Sequence, residues 1–348
     1  MKAIVIHEYG PVEVLKYETL PDPEPRAGEV RIRVHAASVN RMLDVAMRRG
    51  EQSHRNITLP VIPGVDCAGV VDKLGPEVRR WKVGDRVAAA GTMPLEPCPE
   101  DRNAYRGPTG MMGIHRPGGF AELVVLPSCI LDPLPENISF YEATVTTRHC
   151  PTAWNLLMNV AQLKPGEWVL VMGAAGNLGS IGIQIAKNVV GAKVICAAGT
   201  DERVEIGLKH GADYGVNYTN EDICKVVMTI TGRKGVDVLY DNIANPKVLP
   251  KAFLALGHGG RLVTAGAHGG PVVPIDFHHL YDRRITIKGM PGYAAKDRPS
   301  CFEAVAAGKI KIKVDKVLPL SEARVAHHLM ENDVSVGKIV LDPLLDHK

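Results

Sequence analysis

Two hydrophobic patterns divide the chain. Up to about residue 127, short apolar runs (AIVIH, EVRIRVHAAS, CAGVVDKLG, GDRVAAA) are separated by proline and glycine, the pattern of a compact antiparallel barrel. From about 128 to 291 the runs WVLVMG, AKVICAAG, VDVLYDN, GRLVTAG and ITIKGM read as buried parallel strands. Helical periodicity lies between them at 201–211, 220–231 and 248–256, predicting a doubly wound α/β sheet. Beyond 292 the pattern is mixed: a helix at 299–307, strand KIKVD, a helix at 321–332 and strand GKIVLD. This tail has no core of its own and is expected to complete the first domain. The predicted organisation is a discontinuous domain, 1–127 with 292–348, interrupted by an α/β domain, 128–291. Lys309, Lys311, Lys313 and Lys316 alternate with Ile310, Ile312 and Val314, as in a strand with one wet face.

Composition adds limits. A length of 348 residues suits two domains, and a formal charge of +3 gives no reason to expect a nucleic-acid partner. No apolar run approaches the ~18 residues that would suggest a membrane span. MKAIVIHEYG lacks a signal-peptide core, so a cytoplasmic protein without membrane partners is expected. The seven cysteines are scattered without a CxxC pair, which favours reduced thiols.

Candidate chemistry begins in WVLVMGAAGNLGSIGIQIAK, where a strand runs through a glycine-rich turn into a helix with Ile181, Ile185 and Val189 on one face. A pyrophosphate resting on a helix N-terminus needs backbone free of side chains. Gly176 and Gly179 fit the last two glycines of the dinucleotide fingerprint, Ala174 stands at the first, and Gly173 lies one residue earlier. Gly173, Ala175, Gly176, Asn177, Leu178 and Gly179 are therefore the candidate pyrophosphate cradle. The turn alone also fits a tight strand–helix corner, but the strand at 192–198 supplies the βαβ context. That strand ends at Gly199, where an NAD-binding chain usually carries Asp or Glu. Thr200 and Arg203 then offer a hydroxyl and a guanidinium to a 2′-phosphate. Asp201 and Glu202 bring opposing charge, and a solvated helix position is the alternative for Arg203. NADPH is favoured over NADH.

With GEVRIRVHAASVN, LPVIPGVDCAGVV, VGDRVA, GGFAELVVLP, the glycine turn, GVDVLYDNI, GGRLVTAG and ITIKGM in this order, the chain resembles the medium-chain dehydrogenase/reductase superfamily, and most closely its zinc-free, quinone-oxidoreductase-like branch. The resemblance implies a GroES-like barrel domain beside a Rossmann domain. It implies a family tyrosine near the 2′-phosphate at Tyr218, with packing as its alternative role. It implies cofactor contacts at Thr152, Asn242, Ala265, Gly266, Ala267, Met290 and Gly292, and a homodimer paired through the strand DRRITIKG. Zinc alcohol dehydrogenases of the superfamily carry a cysteine and a Gly-His-Glu histidine as ligands. Here Asn40 and Val65 stand at those positions, and the long segment 91–119 holds only Cys98 where a structural zinc lobe needs four cysteines. No zinc is expected, and the pairs His278–His279 and His327–His328 do not suggest another metal site.

The implied activity is hydride transfer from NADPH to an activated C=C bond or a quinone, on a small enone, enal or quinone substrate. Asn40 is the candidate for orienting substrate or nicotinamide ribose, with helix capping as its alternative. Some enoyl reductases of the superfamily carry a tyrosine after the glycine matching Gly50; Glu51 and Gln52 stand there, which leaves Tyr105 as the candidate acid. The alternatives are a zinc-independent alcohol or carbonyl dehydrogenase and a non-catalytic NADPH-binding protein.

Overall fold

The computed structural model describes residues 1–51, 55–96, 98, 105–267, 269–270, 272–290, 292, 295–332 and 337–347. They form two compact units, 1–148 with 313–348 and 149–312.

The first unit is the barrel. β1 (Lys2–Ile6) and β2 (Leu15–Thr19) form a hairpin ribbon. β3 (Glu29–Ser38) is the long central strand, paired antiparallel with β4 (Asp66–Leu74), which pairs in turn with β5 (Arg86–Ala90). β6 (Thr92–Pro94) and β7 (Thr109–Met111) make a short separate hairpin within the long 91–119 segment. β8 (Leu123–Pro127) covers the first half of β3, and the two-residue β9 (Asp132–Pro133) edges β5. Val30, Ile32 and Val34 alternate inward along β3, and with Val71, Val87, Val124 and Leu126 they build the barrel core.

The second unit is built on six parallel strands: β10 (Trp168–Met172), β11 (Lys193–Ala198), β12 (Tyr214–Asn217), β13 (Val236–Asp241), β14 (Leu256–Thr264) and β15 (Thr286–Gly289). Their spatial order is β12-β11-β10-β13-β14-β15. The chain starts in the middle, winds to one edge, then returns and winds to the other, the doubly wound arrangement expected from the sequence. Leu170, Met172, Ile195, Leu239 and Leu262 bury one face of this sheet beneath helices carrying Val227, Ala252 and Phe253. After residue 312 the chain re-enters the first unit: β16 (Val314–Pro319) pairs with β17 (Lys338–Asp342), and β17 pairs antiparallel with β3, Val340 opposite Ser38.

Four details depart from the sequence reading. The units divide at 148 and 312 rather than at 127 and 291, because the helix Phe140–Arg148 packs on β3, β4 and β5. The segment DYGVN, which lacks a strong apolar run, is the strand β12. ITIKG is not buried: β15 is a fully exposed edge strand, and only the preceding Ile285 points inward. The lysine run at 309–313 is irregular, not a strand. Gly308 has φ +70°, Ile310 is buried, and the N–H of Lys311 donates to Gln184 Oε1 at 2.7 Å. Among the described residues no helix is long and apolar enough to cross a membrane.

Candidate active site

Parallel pairing brings the carboxyl ends of the six strands side by side: Met172 opposite Ala197, Ala198 opposite Asn217, Asp241 opposite Thr264, and Thr264 opposite Gly289. The cofactor candidates fall on or just beyond this edge, in the place where open α/β sheets bind ligands. Gly173 leaves β10 with φ +74°, a conformation open to glycine at little cost. Gly176 is the N-cap of the helix Asn177–Gln184. A Cβ on Gly179 would stand 2.1 Å from the Gly173 carbonyl oxygen, so the helix lies against the turn only because residue 179 lacks a side chain. The first backbone N–H groups of a helix have no intrahelical acceptor. Asn242, at the end of β13, donates from Nδ2 to the Met172 carbonyl at 3.1 Å. Its Oδ1 is buried with no hydrogen-bond partner among the described residues, an acceptor suited to a bound hydroxyl. Gly266 presses on the Asn242 backbone; a Cβ there would meet its carbonyl oxygen at 2.1 Å. Ala265 and Ala267 flank it beyond β14, and Met290 donates its N–H to the Thr264 carbonyl at 3.1 Å. Thr152 is buried on the helical turn Cys150–Trp154, and Asn155 Nδ2 reaches the Gly292 carbonyl at 3.4 Å.

At the end of β11 the structure gathers four more candidates. The ring of Tyr218 packs over Gly199, 3.3 Å from where a Cβ would stand. Thr200 caps the helix Asp201–Lys209, its Oγ accepting from the Arg203 N–H at 3.3 Å. Burial pushes the Tyr218 phenol up while the Arg203 charge pulls it down, so the two side chains share one field. Asp201 is turned aside: Asn217 Nδ2 donates to its Oδ1 at 2.7 Å.

Asn40 lies in the barrel unit, in a dry polar cluster. The five-residue π-helical turn Arg41–Val45 follows it, and its wide pitch carries the Asp44 carboxylate back onto the Asn40 N–H at 2.8 Å. Asp66, the first residue of β4, accepts from the Ser38 N–H at 2.7 Å, the Ser38 hydroxyl at 2.6 Å and Asn40 Nδ2 at 2.9 Å. Asn40 Nδ2 also reaches the Ser38 carbonyl at 3.0 Å, and Lys338 Nζ donates to Asn40 Oδ1 at 2.6 Å. All five residues are buried. Burial and the neighbouring Asp66 charge raise the Asp44 carboxyl to about 6. Burial also raises Asp66, and it lowers the Lys338 ammonium to about 8 against the pull of both carboxylates. The Asn40 side chain makes no cap bond to the following turn; its amide is the hub of this cluster.

Comparison with known proteins now places the chain. Residues 26–136 match the sequence family described as alcohol dehydrogenase GroES-like domain, and residues 177–307 the family described as zinc-binding dehydrogenase. A quinone oxidoreductase of Sus scrofa is 30% identical over 351 aligned positions, covering 98% of this chain and 97% of the relative. The chain belongs to the medium-chain dehydrogenase/reductase superfamily. Its relatives in that superfamily include the NADPH-dependent alkenal/one oxidoreductase of Arabidopsis thaliana, 31% identical over 99% of this chain and 80% of the relative. The crystal structure of an NAD-dependent alcohol dehydrogenase superposes with a TM-score of 0.89 at 36% identity, over 98% of this chain and 99% of the other. The chain is thus an oxidoreductase of the quinone-oxidoreductase-like branch, in a family that binds a nicotinamide cofactor.

Membership in this superfamily raises zinc, and the donors at the two expected ligand positions do not fit it. Val65 is a buried hydrocarbon packed with Leu43 and Ile114. Both amide hydrogens of Asn40 are engaged by Asp66 and Ser38, and its oxygen by Lys338. Among the described residues no three His, Cys, Asp or Glu side chains gather as a metal site. Tyr105 packs against the barrel core and donates its hydroxyl to the Pro108 carbonyl at 2.7 Å, within its own loop. Glu51 pairs with Arg49 at the surface, and Gln52 lies outside the described residues. The sequence pattern places Lys338 only within the strand GKIVLD. The signal was available: a lysine opening the otherwise apolar run KIVL, every residue of which is buried.

Proposed function

We propose that this protein is an NADPH-dependent reductase that adds hydride to an activated C=C bond or a quinone without zinc. The observation that carries the reading is the donor set at residues 40 and 65, an engaged amide and a hydrocarbon where zinc dehydrogenases of the superfamily place ligands. Without a Lewis acid, an acceptor whose developing enolate or hydroquinone oxygen is held by hydrogen bonds demands least of the protein. The relatives named quinone oxidoreductase and alkenal/one oxidoreductase support the same substrate class.

When bound, NADPH supplies the hydride. In this reading the chain's residues do the rest. The N–H groups of Asn177, Leu178 and Gly179 receive the pyrophosphate at the helix N-terminus. Arg203, Thr200 and the Tyr218 hydroxyl hold the 2′-phosphate, with the Asp201 charge diverted to Asn217. Asn242 Oδ1 accepts from a ribose hydroxyl, and the backbone at Ala265–Ala267, Met290 and Gly292, with Thr152, borders the nicotinamide. Asn40 orients the reacting groups, its amide fixed by Asp66 and Lys338. Tyr105 remains the candidate acid, its hydroxyl donating to the Pro108 carbonyl at 2.7 Å until a substrate oxygen takes that place. The second reading, an alcohol dehydrogenase using NAD, draws on the 36% identical structure of that description.

The test is NADPH and NADH oxidation against enones, enals, quinones and aldehydes, with and without chelator, on the parent, Arg203→Ala and Asn40→Ala. NADPH-linked reduction of a conjugated acceptor, insensitive to chelator, is expected. Arg203→Ala should weaken NADPH binding about 10- to 150-fold more than NADH binding. Asn40→Ala should lower turnover with little change in NADPH affinity. NAD-linked alcohol oxidation lost on chelation would overturn the reading.

A further inference from the structure

Cys98 and Cys129 lie 31 positions apart in sequence, yet their Sγ atoms are 2.6 Å apart in the barrel interior. That approach is closer than two non-bonded sulfurs can rest. Both thiols sit in the hydrophobic core, 9% and 6% exposed. The backbone around Cys129 is fixed. Cys129 occupies the 3-10 turn Ser128–Ile130, whose Ser128 accepts from Trp81 Nε1 at 3.1 Å and donates its N–H to the Gly28 carbonyl at 2.9 Å. Gly28 has φ +76°, and the Cys98 carbonyl lies 3.2 Å from where its Cβ would stand, so the glycine lets the Cys98 backbone close onto this turn. A pair of sulfurs brought this close needs little backbone movement to bond.

We propose that Cys98 and Cys129 are a reversible disulfide site that ties Cys98 to the turn Ser128–Ile130 when the protein meets a peroxide. The Cys98 thiolate attacks one peroxide oxygen, the O–O bond breaks, and a sulfenic acid and one water form. Cys129 sulfur then attacks Cys98 Sγ and expels the second water. Two S–H bonds and one O–O bond are lost, one S–S bond forms, and hydrogen peroxide takes up both electrons and both protons. What sets Cys98 and Cys129 apart from the other buried thiols is position: each has a second sulfur 2.6 Å away to resolve a sulfenic acid.

The test uses the full reduced chain, treated with hydrogen peroxide, quenched with a thiol-blocking maleimide under denaturing conditions and mapped by mass spectrometry without reductant. Blocked thiols should fall from seven to five. A peptide joining Cys98 to Cys129 within one chain should appear, two hydrogens lighter than its parts and cleaved by dithiothreitol. The oxidised protein should melt roughly 5 °C higher, because the cross-link closes a long loop in the unfolded chain. The Cys98→Ser variant should keep six thiols after the same treatment, and if it fails to fold, the peptide map of the parent decides. Seven thiols after peroxide, sulfonic acids in place of a cross-link, or a different cysteine pair would overturn the proposal.

Discussion

Asp44, Asp66 and Lys338 place two carboxyls and one ammonium in a space that excludes water, and burial moves all three away from ordinary titration. For Asp44 the direction has a consequence for stability. Its carboxyl titrates near 6 in the fold and near the usual carboxylate value in the unfolded chain, so between those pH values the folded state binds the extra proton. This group therefore favours the fold at low pH and loses that contribution as pH rises through about 6. That displacement corresponds to about 3 kcal/mol at most. Asp44→Asn removes the titration while keeping an acceptor for the N–H of Asn40 or Gly64. Denaturant unfolding from pH 4 to 7 should show the parent losing stability relative to the variant as pH rises; parallel curves would refute the Asp44 assignment. At this scale the sequence was half legible. Asn40 and Asp66 stood in motifs, but what the Asn40 amide does depends on Lys338, which arrives from 298 residues away. No local pattern reports such a partner.

The glycine turn after β10 is the element in which sequence and geometry agree most closely. The spacing of Gly173, Gly176 and Gly179 follows from contacts made within seven residues, so it can be read without tertiary information. Gly179→Ala makes this a measurement. Its Cβ would enter the Gly173 carbonyl, and the helix must shift off the turn. The variant should lose about 1–3 kcal/mol of stability and at least tenfold in NADPH affinity, read by thermal melting and by quenching of tryptophan fluorescence. Unchanged affinity would mean that the cradle is not the pyrophosphate site. Elements fixed by distant pairing were harder to read. β12 forms because Tyr214–Asn217 lies alongside β11, not because DYGVN is strongly apolar. The 309–313 segment has alternating residues but finds its partner in the Gln184 side chain instead of a neighbouring strand.

On the scale of the molecule, β15 leaves the parallel sheet with a bare edge. All four of its residues, Ile287 among them, are exposed, as are Phe277 and Tyr281 on the helix before it. Exposed edges of this kind pair with other strands unless charge or bulges prevent it. A second copy of the chain, joined edge to edge across a two-fold axis, is the proposed occupant. Light scattering at micromolar concentration should find a dimer, and Ile287→Lys should shift it toward monomer without lowering the melting temperature of the monomer. A monomeric parent would exclude the pairing.

The return of β17 to β3 also sets an order of events during synthesis. Residues 149–312 are contiguous and contain every strand of their own sheet, so that unit has all its partners once they have left the ribosome. The barrel begins earlier but finishes last. Until Lys338–Asp342 emerges, Ala37 and Ser38 at the end of β3 lack their partner strand, and Asp44 and Asp66 wait in their pocket without the cation that faces them. The unit made first is thus the one completed second, and through that interval its open strand edge is the part of the nascent chain with most need of a chaperone's cover.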